Sequence, residues 1–160
     1  MDMLTYKRQW MQLIFRTRPI RENLTVAAPK HIYQDKARLN ANIEKCLALF
    51  PALRDRLDTP AGNLSGGQQQ MVAMSIALMA EPKVLLLDEP SIGLSPNLVQ
   101  DILHTVRKLA DETGISAILV EQNVKVALDV ADDVAALRGG RVIFSGKAAE
   151  VSIEKLWDLF

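Results

Sequence analysis

The apolar positions change their rhythm along the chain. In the first half they recur every third or fourth residue, the spacing of one helical face. Arg21 to Ala28 reads as a short helix that stops before Pro29, because the residue before a proline disfavours helical backbone. Gln34 to Phe50 is a longer helix, with Leu39, Ile43, Cys46, Leu47 and Phe50 on one stripe. Pro51 opens a shorter turn through Leu57, Thr59 to Gly62 is a loop, and Gly66 to Ala80 is a third helix. Beyond it the rhythm breaks into short, continuous apolar runs. Val84-Leu85-Leu86-Leu87 and Ile115 to Val120 suit strands covered on both faces in a parallel sheet. Between them Ser95-Pro96 starts a helix as N-cap and first helical residue, Leu98, Ile102, Leu103, Val106, Leu109 and Ala110 make its buried stripe, and Gly114 ends it. Val124 to Ala131 is a short helix. Val134 to Leu137 and Val142 to Phe144 form a hairpin around Gly139-Gly140. Ala148 to Val151 and Ser152 to Phe160 close the chain as short helical segments. Residues 1–18 fit neither period: Leu4, Trp10, Met11, Leu13, Ile14 and Phe15 alternate with basic residues, and helix and strand both stay open.

Composition narrows this α/β picture. The 160 residues make one domain, or one domain with a helical appendage, and with 49% apolar residues a real core is available. Lys plus Arg and Asp plus Glu each number 19, so no surface for nucleic acid is held by bulk charge. Cys46 is alone, which excludes a disulfide framework, fits a reducing cytosol and reads as a small hydrophobe on its helix. No apolar run approaches the roughly 20 residues that span a bilayer. The basic N-terminal stretch lacks the long apolar centre and small-residue cleavage site of a signal peptide. A soluble protein is expected, working at a membrane only by docking. His104 falls on the wet side of its helix, as solvated surface.

The chemistry concentrates between Asn63 and Pro96. Ser65 is a natural N-cap, and Gly66 and Gly67 let the backbone approach a ligand closely. The helix they open presents unpaired N–H groups and partial positive charge, which suits a phosphate. Asp88 and Glu89 stand where a parallel strand emerges, the place where open α/β sheets bind ligands. A serine–glycine turn and a buried strand could each be ordinary; it is their order and spacing with the following turn that are specific.

Leu64-Ser65-Gly66-Gly67-Gln68, then LLLDEP over residues 85–90, then SIGLSP over residues 91–96, resemble the signature motif, Walker B strand and D-loop of the ATP-binding cassette (ABC) ATPases. The resemblance implies a partial P-loop (RecA-like) core with parallel strands and a helical subdomain. Residues 1–18 would be a remnant of the Q-loop region, residues 19–64 the helical subdomain that meets a transmembrane partner, and residues 65–160 the C-terminal part of the ATPase core. FRTRPIRENL, residues 15–24, is similar to the segment after the Q-loop in amino-acid importers; the Q-loop glutamine then falls near Trp10, with Gln9 the nearer candidate and Gln12 on its other side. Ser75-Ile76-Ala77-Leu78 replaces the family's A-R-A-L, exchanging a charge for an apolar side chain. By the same resemblance Asp88 would bind Mg²⁺, Glu89 would polarise an attacking water, and Leu64, Ser65, Gly66, Gly67 and Gln68 would serve the ATP of a partner subunit. Gln122 stands where most members carry a switch histidine. Val120-Glu121-Gln122-Asn123 is similar to the variant found in branched-chain amino-acid importers, and Gln122 could hydrogen-bond a γ-phosphate without titrating.

One motif is absent. The sequence contains no G-x-x-x-x-G-K-[ST], and Gly146-Lys147, its only Gly-Lys pair, reads as a surface turn. Phosphoryl transfer requires the phosphates and metal to be held first. Very weak ATP binding and negligible hydrolysis are therefore expected of this chain alone. The expected partners are a second ABC ATPase subunit and transmembrane permease subunits at the inner face of the plasma membrane. The strand over Ile115 to Val120 is expected to leave an open apolar edge, filled by strand-swapped self-association or by Leu4 to Phe15. The alternative is a catalytically inactive, truncated cassette acting as an interaction module or remnant.

Overall fold

The structure, a computed structural model, describes residues 13–91 and 94–154. Four helices come first: α1 (Ile20–Ala27), α2 (Lys30–Tyr33), α3 (Lys36–Leu49) and α4 (Gly66–Leu78). Strand β1 (Val84–Asp88), helix α5 (Pro96–Thr113) and strand β2 (Ser116–Val120) form a βαβ unit, followed by helix α6 (Val124–Val130) and the hairpin of β3 (Asp133–Arg138) and β4 (Arg141–Lys147). The stretch expected as one helix from Gln34 begins later. Asp35 accepts hydrogen bonds from the amides of Ala37 and Arg38 at 3.0 Å each and so caps α3, while Gln34 ends α2.

One apolar cluster holds most of the chain. It runs from Ile14 through Ile20, Leu24, Leu47, Leu53, Val72 and Met74 to Ile102 and Val106. Removing each such side chain from water is worth about 1.5–3 kcal/mol. Cys46 lies within it, as the stripe implies; burial pushes its thiol up to about 11, against a hydrogen bond to the Ser75 carbonyl. Two polar knots lock the helices. Asn23, 2% exposed, donates to the carbonyls of Phe15, Arg18 and Pro19 and accepts from the Phe15 amide, so the approach to α1 is fixed from inside. Glu81, at a φ of 49° just after α4, accepts a bidentate ion pair from Arg38 and a 2.9 Å bond from Asn42. It ties the α4–β1 turn to α3.

β1 and β2 pair in parallel, Val84 with Ser116 through Asp88 with Val120. Only one face of this pair is covered. Leu85 and Leu87 are 3% and 2% exposed and enter the main cluster beside Ile102 and Val106. On the opposite face Val84, Leu86, Ile118 and Val120 are 50–60% exposed. The expectation of strands covered on both faces is thus corrected: continuous apolar runs permit double burial, but among the described residues helices pack on one side only. β1 and β2 also form a sheet of two strands, so the outer edge of β2 is open among the described residues, as expected.

The hairpin turns at Gly139 and Gly140, with φ of 57° and 76°, a conformation that side chains resist and a two-residue turn of this hand requires. Gly146-Lys147 is not a surface turn but the end of β4, where Lys147 pairs with Asp133 at 2.6 Å across the ladder. The ladder needs its backbone extended there, which rules out a turn. Ser95 stands at the head of α5, but its side chain makes no capping bond; Pro96 at the first position supplies the helix start. Gln9, Trp10, Gln12 and the proposed filling of the gap from Leu4 lie outside the described residues.

Candidate functional site

Two clusters carry the chemistry. The first is the head of α4. The Ser65 hydroxyl accepts from the Gln68 amide at 3.3 Å, and the Gln68 side chain accepts from the Ser65 amide at 3.2 Å, a reciprocal capping box. Ser65 and Gly66 are exposed, and a Cβ on Gly66 would meet nothing within 4 Å. This is an open, dipole-positive helix end on a 13-residue helix. The two glycines differ, however. A Cβ on Gly67 would sit 2.0 Å from a Leu98 methyl, so a side chain there would make Leu98 shift. Leu64 is 6% exposed and belongs to the core, with its carbonyl accepting from Gln69 at 3.1 Å. Of the five signature residues, Ser65, Gly66 and Gln68 face outward most, while Leu64 and Gly67 seat the turn.

The second cluster lies at the ends of β1 and β2. Asp88 closes β1 opposite Val120. Glu89 follows with a φ of 48°, an uncommon backbone for a residue with a side chain. Its amide donates to the Val120 carbonyl at 2.8 Å, which extends the ladder by one bond and aims the side chain. Gln122 then donates from Nε2 to Glu89 Oε1 at 2.8 Å. The residue expected as general base and the residue expected as switch are therefore in direct contact, although far apart in sequence. Both are accessible, Glu89 half-buried and Gln122 exposed. Asn123 caps α6 by accepting from the Val126 amide, which fixes the backbone on the far side of Gln122.

Sequence reasoning missed one member. Glu121 Oε1 accepts from the Ser91 amide at 3.0 Å, and its Oε2 accepts from the Ser91 hydroxyl at 2.7 Å. The sequence shows an acid beside Gln122 but not its partner across the sheet end. For a metal, the described residues contain no group of three His, Cys, Asp or Glu. Mg²⁺ in general keeps several waters and takes one or two carboxylates alongside phosphate oxygens. Asp88, the residue expected to take a metal, stands at the end of β1.

A parallel βαβ unit with paired acids at its strand end, preceded by a glycine-opened helix, is an α/β arrangement of the kind that binds ligands beyond its strand ends. Residues 2–92 match the ABC transporter family, and the chain belongs to it. It is 40% identical over 136 residues to the high-affinity branched-chain amino acid transport ATP-binding protein BraG of Pseudomonas aeruginosa, covering 85% of this chain and 57% of that one. It is 41% identical to the probable branched-chain amino acid transport ATP-binding protein LivF of Archaeoglobus fulgidus, covering 86% and 57%. Import ATP-binding proteins named for sulfate/thiosulfate, methionine and phosphonates match as well. Among solved structures, cbiO1 from Clostridium perfringens, part of the ABC transporter complex cbiONQ, superposes with a TM-score of 0.75 at 27% identity over 88% of this chain and 55% of that one. The chain thus spans little more than half the length of BraG, LivF and cbiO1. No described helix is long and apolar enough to cross a membrane.

Proposed function

We propose that this chain is part of the ATP-binding subunit of an ABC importer and that its transported solutes are branched-chain amino acids. The contact between Gln122 and Glu89 carries the reading. It pairs a carboxylate able to polarise water with a non-titrating amide able to sense a phosphate, beside a strand-end aspartate. In this reading Asp88 takes Mg²⁺ directly or through water, Glu89 is the general base and Gln122 the switch. Bound Mg²⁺ would offset phosphate charge. Ser65, Gly66 and Gln68, seated by Leu64 and Gly67, present α4 to ATP held by a second ABC ATPase subunit. The solute rests on Val120-Glu121-Gln122-Asn123 and on the names of BraG and LivF. Permease subunits would be met by the helical half, at the inner face of the membrane. The exposed face and open edge of the sheet favour association with another polypeptide over life as a monomer.

Because these residues include no P-loop, Mg-ATP should bind the purified chain very weakly and turn over negligibly. Affinity in the micromolar range, measured with a fluorescent ATP analogue, overturns that. Mixed with a complete cassette, the chain should associate more tightly when Mg-ATP is present, and Ser65→Arg should abolish the gain. ATP-independent association would favour a plain interaction module instead. Light scattering that finds a strict monomer removes the self-association.

A further inference from the structure

We propose that Glu121 is a positioning residue: it clamps the turn that follows β1 to the end of β2 and so fixes where Glu89 and Gln122 meet. This rests on the reading of Glu89 as the group that acts on water. Glu89 is held on its N-terminal side by the ladder, through Asp88 opposite Val120 and its own amide on the Val120 carbonyl. On its C-terminal side stands Pro90, whose ring fixes φ. Few soft torsions therefore separate Glu89 from Ser91, and whatever anchors Ser91 also limits Glu89. Glu121 supplies that anchor with both carboxylate oxygens, one on the Ser91 amide and one on its hydroxyl. The bonds are charge-assisted and the two residues half-buried. The same occupancy distinguishes the two acids. Each Glu121 oxygen is already taken by a Ser91 donor, so Glu121 holds a frame, whereas Glu89 meets the switch residue. Gln122 follows Glu121 directly, so one clamp sets both partners of the 2.8 Å contact. An uncommon φ at Glu89 needs such over-determination, because strained backbone persists only where its surroundings enforce it.

The test is nuclear magnetic resonance on the full chain without nucleotide, comparing wild type with Glu121→Ala, Glu121→Gln and Ser91→Ala. Three signals report the frame: the H–N–Cα–H coupling of Glu89, which reads its φ, the exchange rate of its amide, and the shifts of the two Gln122 Nε2 protons. Glu121→Ala should speed Glu89 amide exchange by about tenfold or more and move the Gln122 shifts to those of a free glutamine, with exchange in α3 and α4 unchanged. Glu121→Gln retains an acceptor for Ser91 and should restore most of both signals, a rescue that loss of bulk packing would not explain. Ser91→Ala removes one of the two bonds and should give a smaller change of the same sign; it decides the question if Glu121→Ala does not fold. Wild-type Glu89 and Gln122 signals in Glu121→Ala, or no response in Ser91→Ala, overturn the proposal. Since no nucleotide is present, a failure here is distinct from a failure of the proposed ATP-dependent association.

Discussion

Ile20, Leu24, Leu53 and Val72 in the helical half have no exposed surface at all, whereas Val84, Leu86, Ile118 and Val120 in the sheet are at least half exposed. The chemical types are the same; the surroundings are not. The helices wrap a common cluster, pinned by a buried polar knot at Asn23 and a surface one at Glu81. Among the described residues the sheet has two strands and one covered face, below the three or more strands that usually give a sheet independent stability. The helices supply most of the shared cluster, and the strand whose end carries the acids joins it through Leu85 and Leu87.

Paired truncations break or sharpen this contrast most directly. Leu53→Ala should cost about 2–5 kcal/mol by the cavity it leaves. Leu86→Ala, on the bare face, should stay within about 0.5 kcal/mol in the isolated chain. Equal losses in urea unfolding would mean that the bare face is covered in solution. The signature glycines should separate next. Gly67→Ala drives a methyl into Leu98 and should cost about 1–3 kcal/mol, while Gly66→Ala meets open space and should be far milder. Indistinguishable melting temperatures would remove the packing role assigned to Gly67.

Acid tests the knot between α3 and the α4–β1 turn. Hydrogen bonds from Arg38 and then Asn42 hold Glu81 down at about 2, below its ordinary 4.5. A carboxylate depressed by folding contributes stability above its unfolded value, and loses it as pH falls through the folded one. Glu81→Gln should therefore flatten the acid limb of a stability–pH curve between about 4.5 and 2 and leave its shape above pH 6 unchanged. An unaltered acid limb would mean that the ion pair does not form in solution. Smallest is Gln122→Ala: its bond to Glu89 is exposed, so the melting temperature should move by a degree or two at most. A larger shift would make Gln122 a structural residue.

Local signals predicted much of this molecule. Ser65 as a cap, Gly114 as a helix stop, Gly139-Gly140 as a turn and the strand over Val84–Leu87 follow from signals between near neighbours, and all are present. Departures arise where a distant residue decides. Gly67 carries no sign in the sequence of Leu98, whose methyl lies against it. Gly146-Lys147 looks like a turn until Asp133 pairs with it across the hairpin. Glu121 has no visible purpose until Ser91 is placed beside it.

Amino-acid order by itself determined most of the helices to within a few residues, the βαβ unit, the family and the identity of the acidic pair, because capping, periodicity and turn chemistry act over a few residues. Only the tertiary structure decided which apolar residues are covered, which signature glycine packs and which acid faces Gln122. Those outcomes depend on register between β1 and β2 and on which helix lies over which face, and register is set by the whole packed ladder rather than by any one segment.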